Sequence, residues 1–249
     1  STSATGISTQ AYHSADRWEF GGTAGGGTMR HTMARSTTVP AGQGFGYSLK
    51  IDCTTADTNL GTDGIIILTQ KIEAQNLIRI KKGTASAEKL TYSFWVRSNL
   101  SGASNLLTCT LYDDDNSRSA SATVQIDSAD TWQRASVTFP ADTSGAFNND
   151  NGAGLYVQIY MGVGSQFTSG TMNTTWASYS NANVASSNTM NLASSTDNEI
   201  LFTGFQLEQG AAATDFEFEP YDMVLQKCKR YLQSFTAASN YARFAIGQA

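Results

Sequence analysis

An all-β sandwich closed by one short C-terminal helix is the fold class this sequence predicts, and three observations carry the prediction. Short runs of alternating apolar and polar residues recur at intervals of roughly 10 to 15 residues, the rhythm of a two-sheet protein. Only 15% of the 249 residues are charged, below the usual share for a globular domain. Ser, Thr, Asn, Gln and Gly fill the difference, a composition suited to many turns and a neutral polar surface. The third observation is that a longer helical spacing of apolar residues appears only near the end of the chain.

The elements follow in order. Residues 1–11 are small and polar without an apolar period, and read as a linker or an arm packed on a neighbour. Trp18 and Phe20 alternate in a short strand. The cluster GGTAGGG at 21–27 ends it, because so many glycines lose too much backbone entropy for a regular element. Tyr47, Leu49 and Ile51 alternate with Ser48 and Lys50 in a half-buried strand. Ile65-Ile66-Ile67-Leu68 is a continuous apolar run, mostly β-branched, which suits a central strand buried on both faces. Residues 75–80 fit one helical turn better than a strand. Leu90, Tyr92, Phe94 and Val96 form the next apolar face, and Leu107, Cys109 and Leu111 another. Val124 and Ile126 belong to a further strand. Trp132, Ala135, Val137 and Phe139 lead to Pro140, which lacks the N–H a ladder needs and ends it. Trp95 and Trp132, set in strand patterns, are expected in the core. Leu155, Val157, Ile159 and Met161 face one way, and Tyr156, Gln158 and Tyr160 the other.

From Gly162 to Asn198 the chain is polar and small, with Phe167, Met172, Trp176 and Tyr179 scattered through it. An excursion this long in a compact domain points to function or to packing on a partner. Ile200 to Leu207 is the last core strand, with Phe202, Gly204 and Gln206 on one side and Thr203, Phe205 and Leu207 on the other. Asp222 is placed to cap a short helix. Val224, Cys228, Tyr231 and Phe235 follow helical spacing, and Lys227, Lys229 and Arg230 lie where they complement the dipole. The domain boundaries expected are an arm at 1–11, a sandwich at 12–220, and a junction helix with the start of a following segment at 221–249. The chain starts at Ser1, and NYARFAIGQA at its end reads as the beginning of another strand. Both suggest a fragment or a processed product.

Bulk properties exclude several functions. The net charge is −5 with no basic stripe, which argues against nucleic acid as a partner. No apolar run approaches the ~20 residues of a spanning helix, so membrane insertion is not expected. The three cysteines, Cys53, Cys109 and Cys228, are odd in number and widely spaced, and read as reduced thiols in a cytoplasm. His13 and His31 have no partner at a catalytic or metal-binding spacing. No GxSxG elbow is present. Glycan cleavage would need two carboxylates across a cleft. Glu73, Glu199, Glu208, Glu217 and Glu219 are candidates that read better as surface charge. An enzyme is therefore not expected.

Four stretches carry a resemblance. GQGFGYSLKIDCTTAD from Gly42, QKIEAQNLIRIKKGTASAEKLTYSFWVRSN from Gln70, DTWQRASVTFPADTSGAFNNDNGAGLYVQI from Asp130 and FTGFQLEQGAAATDFEFEPYDMVLQKCKRYLQSF from Phe202 together resemble a jelly-roll module of tailed-bacteriophage fibre proteins. The YSLKI, SFWVRS and TWQRASVTFP strands are also similar to carbohydrate-binding-module jelly rolls. The resemblance implies a jelly-roll β-sandwich in a non-enzymatic virion structural protein, with other virion proteins as partners. The expected role is a tail-fibre or receptor-binding domain, assembled in the host cytoplasm, that attaches to a host cell-surface glycan. Fibre architecture implies a homotrimer. A capsid head fibre or decoration protein, or a carbohydrate-binding module of a secreted enzyme, are the alternatives.

Two sets of residues are candidates for ligands under that reading. Sugars stack their C–H faces on exposed rings while amides bind hydroxyls. Trp176 and Tyr179 in the polar excursion, with Asn173, Asn181 and Asn183 nearby, fit that chemistry, and Trp18, Tyr12 and Tyr112 are weaker candidates. For Trp176, ligand contact, subunit interface and loop packing all stay open. Asp113 and Asp115 in one oxygen-rich loop and Asp150 in another are candidate ligands of a structural Ca2+, and no other cofactor is expected. Hairpin turns are the simpler reading, since neither loop has the spaced carboxylates of a calcium loop.

Overall fold

The computed structural model describes residues 3–15, 17–23 and 27–229. In chain order the strands are β1 (Ser3–Ile7), β2 (Ala11–Tyr12), β3 (Trp18–Thr23), β4 (Arg30–Ser36), β5 (Ser48–Thr55), β6 (Ile65–Glu73) and β7 (Leu90–Ser98). Then come β8 (Leu106–Asp113), β9 (Arg118–Gln125), β10 (Gln133–Phe139), β11 (Ala153–Val163), β12 (Ala177–Ser178) and β13 (Glu199–Gln209). A one-turn helix α1 (Asn181–Val184) precedes β13, and α2 (Tyr221–Lys229) follows it. One sheet has six strands in the order β1-β4-β5-β13-β7-β10, and the other has seven in the order β12-β9-β8-β11-β6-β3-β2. All pairings are antiparallel. The fold is an all-β jelly-roll sandwich.

Period-two alternation builds the core. Leu90, Tyr92, Phe94 and Val96 of β7 are buried against Leu107, Cys109 and Leu111 of β8 and Leu155, Val157, Ile159 and Met161 of β11 in one apolar cluster. The Ile65-to-Leu68 run lies in β6, between β11 and β3, as a central strand. Residues 74–80 form two 3₁₀ turns, Ala74–Asn76 and Ile78–Ile80. His31 of β4 is fully buried, with its ring edge-on to Phe20 of β3 at 5.5 Å.

Several expectations are corrected. Ser3–Ile7, read as linker or arm, pairs with β4 at the edge of the six-stranded sheet. Gly21 and Gly22 do not end a strand but continue β3 opposite Ile67 and Ile66. The reason is contact, since a Cβ on Gly21 would stand 2.6 Å from Gln10 Cβ. Tyr47 is exposed and lies under the Arg35 guanidinium at 4.3 Å. Trp95 and Trp132 are half-buried, as are Trp18 and Trp176, but it is Trp18 and Trp176 that pack against the main apolar cluster.

The last strand breaks its own alternation. Ile200 and Phe202 are fully buried, yet Phe205 and Leu207 also pack on the core. A bulge between Thr203 and Gln206 inserts the extra residue that returns the side chains to the same face. Gly204 sits in it at φ +61°, and a Cβ there would stand 2.5 Å from Phe45 Cζ.

The unit containing the sandwich runs to Thr214, and a second unit begins at Asp215. Within that second unit α2 starts at Tyr221, with Asp222 inside the first turn rather than at the cap. The Met223 and Val224 N–H groups donate to Pro220 O. Arg230, Tyr231 and Phe235, expected to continue the helix, lie outside the described residues. Among the described residues no helix is long and apolar enough to cross a membrane.

Candidate functional site

The outward face of the seven-stranded sheet gathers a row of aromatic and charged side chains. With Leu155, Val157 and Ile159 of β11 turned into the core, Tyr156 must point outward. It is paired with Lys71 of β6 on one side and Tyr112 of β8 on the other. The Tyr156 and Tyr112 rings meet edge to face at 5.5 Å, and Tyr112 meets Tyr179 at 4.6 Å. Tyr179 Oη donates to Asn181 Oδ1 at 2.7 Å, and Tyr156 Oη lies 3.4 Å from Asp114 Oδ2. At the other end Tyr12, 55% exposed, pairs across the ladder with Glu19. Lys71 Nζ lies 2.9 Å from Glu19 Oε2, 5.9 Å from the Tyr12 centroid and 5.3 Å from that of Tyr156.

The polar excursion closes one end of this row. It packs on the same outward face, where Ile67, Tyr160, Val184 and Ala185 form a small buried cluster with Phe167 and Tyr179 against it. Backbone polarity is satisfied as it crosses the sheet. Ser121 Oγ donates to Val184 O at 2.8 Å, and the Tyr179 N–H donates to Ser117 O at 2.8 Å. Asn188 Nδ2 donates to Tyr160 O at 2.9 Å. The excursion is therefore a fitted cover over part of the sheet, and Tyr179 stands where the cover meets the open strip.

Electrostatics keep the strip neutral at its phenols and polar at its rim. Burial raises the Tyr112 and Tyr156 phenols above their ordinary range, and the neighbouring Asp114 charge adds to it. Burial likewise raises Tyr179, helped by Tyr112. All three stay protonated donors at neutral pH. Burial would lower Lys71, but the Glu19 carboxylate outweighs it and the ammonium's pKa rises.

Of the predicted ligand residues, the structure brings Tyr112, Tyr179 and Asn181 together and places Trp176 elsewhere. Trp176 Nε1 donates to Pro140 O at 2.8 Å, and its ring packs on the core. Tyr156, Lys71 and Glu19 were not among the candidates. The alternation of β11 did turn Tyr156 outward, but only the cross-strand register shows that it meets Tyr112.

The three predicted metal ligands are dispersed. Asp113 is fully buried, bonded to Lys82 Nζ through Oδ2 and to Asn116 through both oxygens. Asp115 accepts from Asn148 N and Nδ2 at 2.9 and 2.8 Å. Asp150 Oδ1 accepts from Gly152 N at 3.0 Å. Among the described residues no group of three or more His, Cys, Asp or Glu is arranged to hold a metal.

Other concave and acidic features differ in chemistry. A cleft of about 450 Å³ is lined by Thr58, Asn59, Thr62, Ser165, Asn188 and Asn191 among others, with no aromatic ring in its wall. Glu199 is held by Lys50 at 2.5 Å and Arg97 at 3.0 Å. Burial would raise its pKa, but these cations lower it. Glu208 is also lowered, since bonds from Gln206 and Thr214 outweigh burial. A general acid needs the opposite shift.

No family model matches the sequence, and no curated protein sequence matches it. Among solved structures, the chain is similar to the enzymatically active domain of bacteriophage CBA120 tailspike protein 4, with 11% identity and a TM-score of 0.44. That alignment covers 78% of this chain and 19% of the tailspike chain, so this chain spans under a fifth of that protein's length. It is also similar to a family 11 carbohydrate-binding module from Clostridium thermocellum in complex with a β-1,3-1,4-mixed-linked tetrasaccharide (11% identity, TM-score 0.39, 82% and 94% of the two chains). A third is the CBM22-1 xylan-binding domain of Paenibacillus barcinonensis Xyn10C (12% identity, TM-score 0.36, 84% and 95% covered). No binding residue passes from these proteins to this chain at that identity.

Proposed function

We propose that this chain is a non-catalytic glycan-binding jelly roll of a phage virion, whose outward aromatic strip attaches to a host cell-surface carbohydrate. One observation carries the binding reading. Tyr12, Tyr156, Tyr112 and Tyr179 follow one another across the sheet, with Glu19, Lys71, Asp114 and Asn181 beside them. Rings stack on the C–H faces of sugars while the flanking charges and amides take hydroxyls, which suits a neutral polar chain molecule. The virion reading rests on the sequence resemblance of the four stretches, the Phe202-to-Phe235 segment above all. Single-site binding of this kind is weak, and several copies on a trimeric fibre would supply avidity. Residues after Pro220 are the proposed trimer junction.

A panel of immobilised bacterial surface glycans, probed with the protein and with Tyr156→Ala and Tyr112→Ala, tests the strip. Each variant is expected to weaken binding about tenfold or more, the equivalent of roughly 1.4 kcal/mol, with melting little changed. Retention of full affinity by both variants would remove the strip as the site. Immunogold labelling of virions separates tail fibre from capsid surface, and light scattering with and without the residues after Pro220 tests the trimer.

A further inference from the structure

We propose that Lys82 and Asp113 form an intramolecular isopeptide bond, which staples one end of the sandwich. Lys82 follows the second 3₁₀ turn, and Asp113 ends β8. Their side chains are 3% and 0% exposed, and Lys82 Nζ touches Asp113 Oδ2. Asp142, after β10, is 4% exposed in its side chain and places Oδ2 3.0 Å from the same nitrogen. Arg118 holds that carboxylate in both directions, Nε to Oδ2 at 2.8 Å and Nη2 to Oδ1 at 2.9 Å. The Phe147 and Trp176 rings each lie 5.3 Å from Nζ.

The parts of an acyl transfer are in place. Amine and carboxyl are buried in contact, the condition under which proximity replaces a bimolecular encounter. Asp113 Oδ1 accepts from the Asn116 N–H at 3.1 Å and from Asn116 Nδ2 at 3.2 Å. The Asn116 N–H stands where an oxyanion would develop on Oδ1, and Nδ2 is shared with Oδ2 at 3.0 Å. A proton passes from the Lys82 ammonium to Asp113 Oδ2, directly or through Asp142, leaving a neutral amine against a neutral acid. Nζ then bonds to Cγ, with the negative charge received on Oδ1. A second proton follows to Oδ2, the Cγ–Oδ2 bond breaks, and water leaves. Ammonium and carboxylate become one amide and one water, with no oxidant or co-reactant. Ser144 O and Gly145 O, 2.9 and 2.7 Å from Nζ, orient the nitrogen and accept its remaining hydrogen.

The alternative for the same residues is a buried ion pair, which costs both groups their hydration. Intact-mass spectrometry of the purified chain separates the two. The bond makes the protein lighter than its sequence by one water, and tryptic digestion then yields a branched peptide joining Lys82 to Asp113. Lys82→Arg restores the full sequence mass, and Asp142→Asn leaves a large fraction unlinked. A succinimide at Asp63-Gly64 would also remove one water, but that loss would persist in Lys82→Arg. A folded wild-type protein at full sequence mass, cleaved normally after Lys82 once denatured, overturns the proposal. So does a water loss that maps outside Lys82 and Asp113.

Discussion

Acidification should destabilise this sandwich through one residue, His31. Its ring lies between the sheets, fully buried, and among the described residues neither ring nitrogen has a hydrogen-bond partner. Burial lowers its pKa from 6.5 to about 4. The unfolded chain therefore binds a proton between pH 6.5 and 4 that the folded chain does not. Stability from the neutral ring is complete above pH 6.5 and drains as the pH falls toward 4. From the two pKa values the loss is about 1–2 kcal/mol at pH 5.5 and about 2–3 kcal/mol at pH 4.5. For a domain of this size that lowers the melting temperature by roughly 5–10 °C at pH 4.5. The assay is thermal unfolding from pH 8 to 4.5 of the wild type and His31→Leu. Glu199, Asp142 and Glu208, whose pKa values are lowered, also lose stability in acid, but equally in both proteins. The difference between the two melting curves isolates His31. It should be flat above pH 7 and should narrow in favour of the variant below pH 6.5. A constant difference across the whole range would refute the argument.

Gly204→Ala should cost about 2–4 kcal/mol, the sum of a left-handed backbone penalty and displacement of the Phe45 ring. Gly102→Ala, also at positive φ but with open space around its Cβ, should cost only the backbone share, about 1–2 kcal/mol; equal losses by chemical denaturation would dismiss the Phe45 contact. Thiol reagents should label Cys228, which is half-buried, in the native protein. Cys53 and Cys109 are buried and burial raises both pKa values, so they should react only after unfolding, and rapid native labelling of Cys109 would contradict the core described. Trp176→Ala should lower the melting temperature, because the ring fills the core edge and its N–H bonds Pro140 O; an unchanged melt would free Trp176 for a surface role.

Alternation made most of the sandwich legible. The inward faces of β7, β8 and β11 follow directly from Leu90 to Val96, Leu107 to Leu111 and Leu155 to Met161. It failed where a neighbour overrides the local pattern. Gly21 and Gly22 sit in β3 where a Cβ would stand 2.6 Å from Gln10 Cβ and 3.0 Å from His31 Nδ1, contacts with residues outside the strand that the local pattern does not contain. The bulge at Gly204 was invisible for the same reason. The candidate site was half legible. Tyr112, Tyr179 and Asn181 share the chemistry that drew notice, but Tyr156, Lys71 and Glu19 join them only through cross-strand register. For Trp176 the sequence leaves packing open beside ligand contact, because an aromatic residue in a polar stretch looks the same whether it faces solvent or plugs a core.

The strip runs across the strands rather than along one. Its tyrosines ride on β2, β11 and β8, with Lys71 of β6 between them. Lys71, Tyr156 and Tyr112 share one cross-strand row, so the spacing between their Cα atoms is set by the inter-strand distance, about 4.8 Å, while Tyr12 stands in the row of Glu19 and Thr69, two residues along. Backbone hydrogen bonds act as the graduations of a ruler that point mutations cannot stretch. A carbohydrate bound at the proposed strip would have to match that pitch. Change in preference would come through the covered end, where Tyr179 follows the two-residue strand β12 and Asn181 opens the one-turn helix α1.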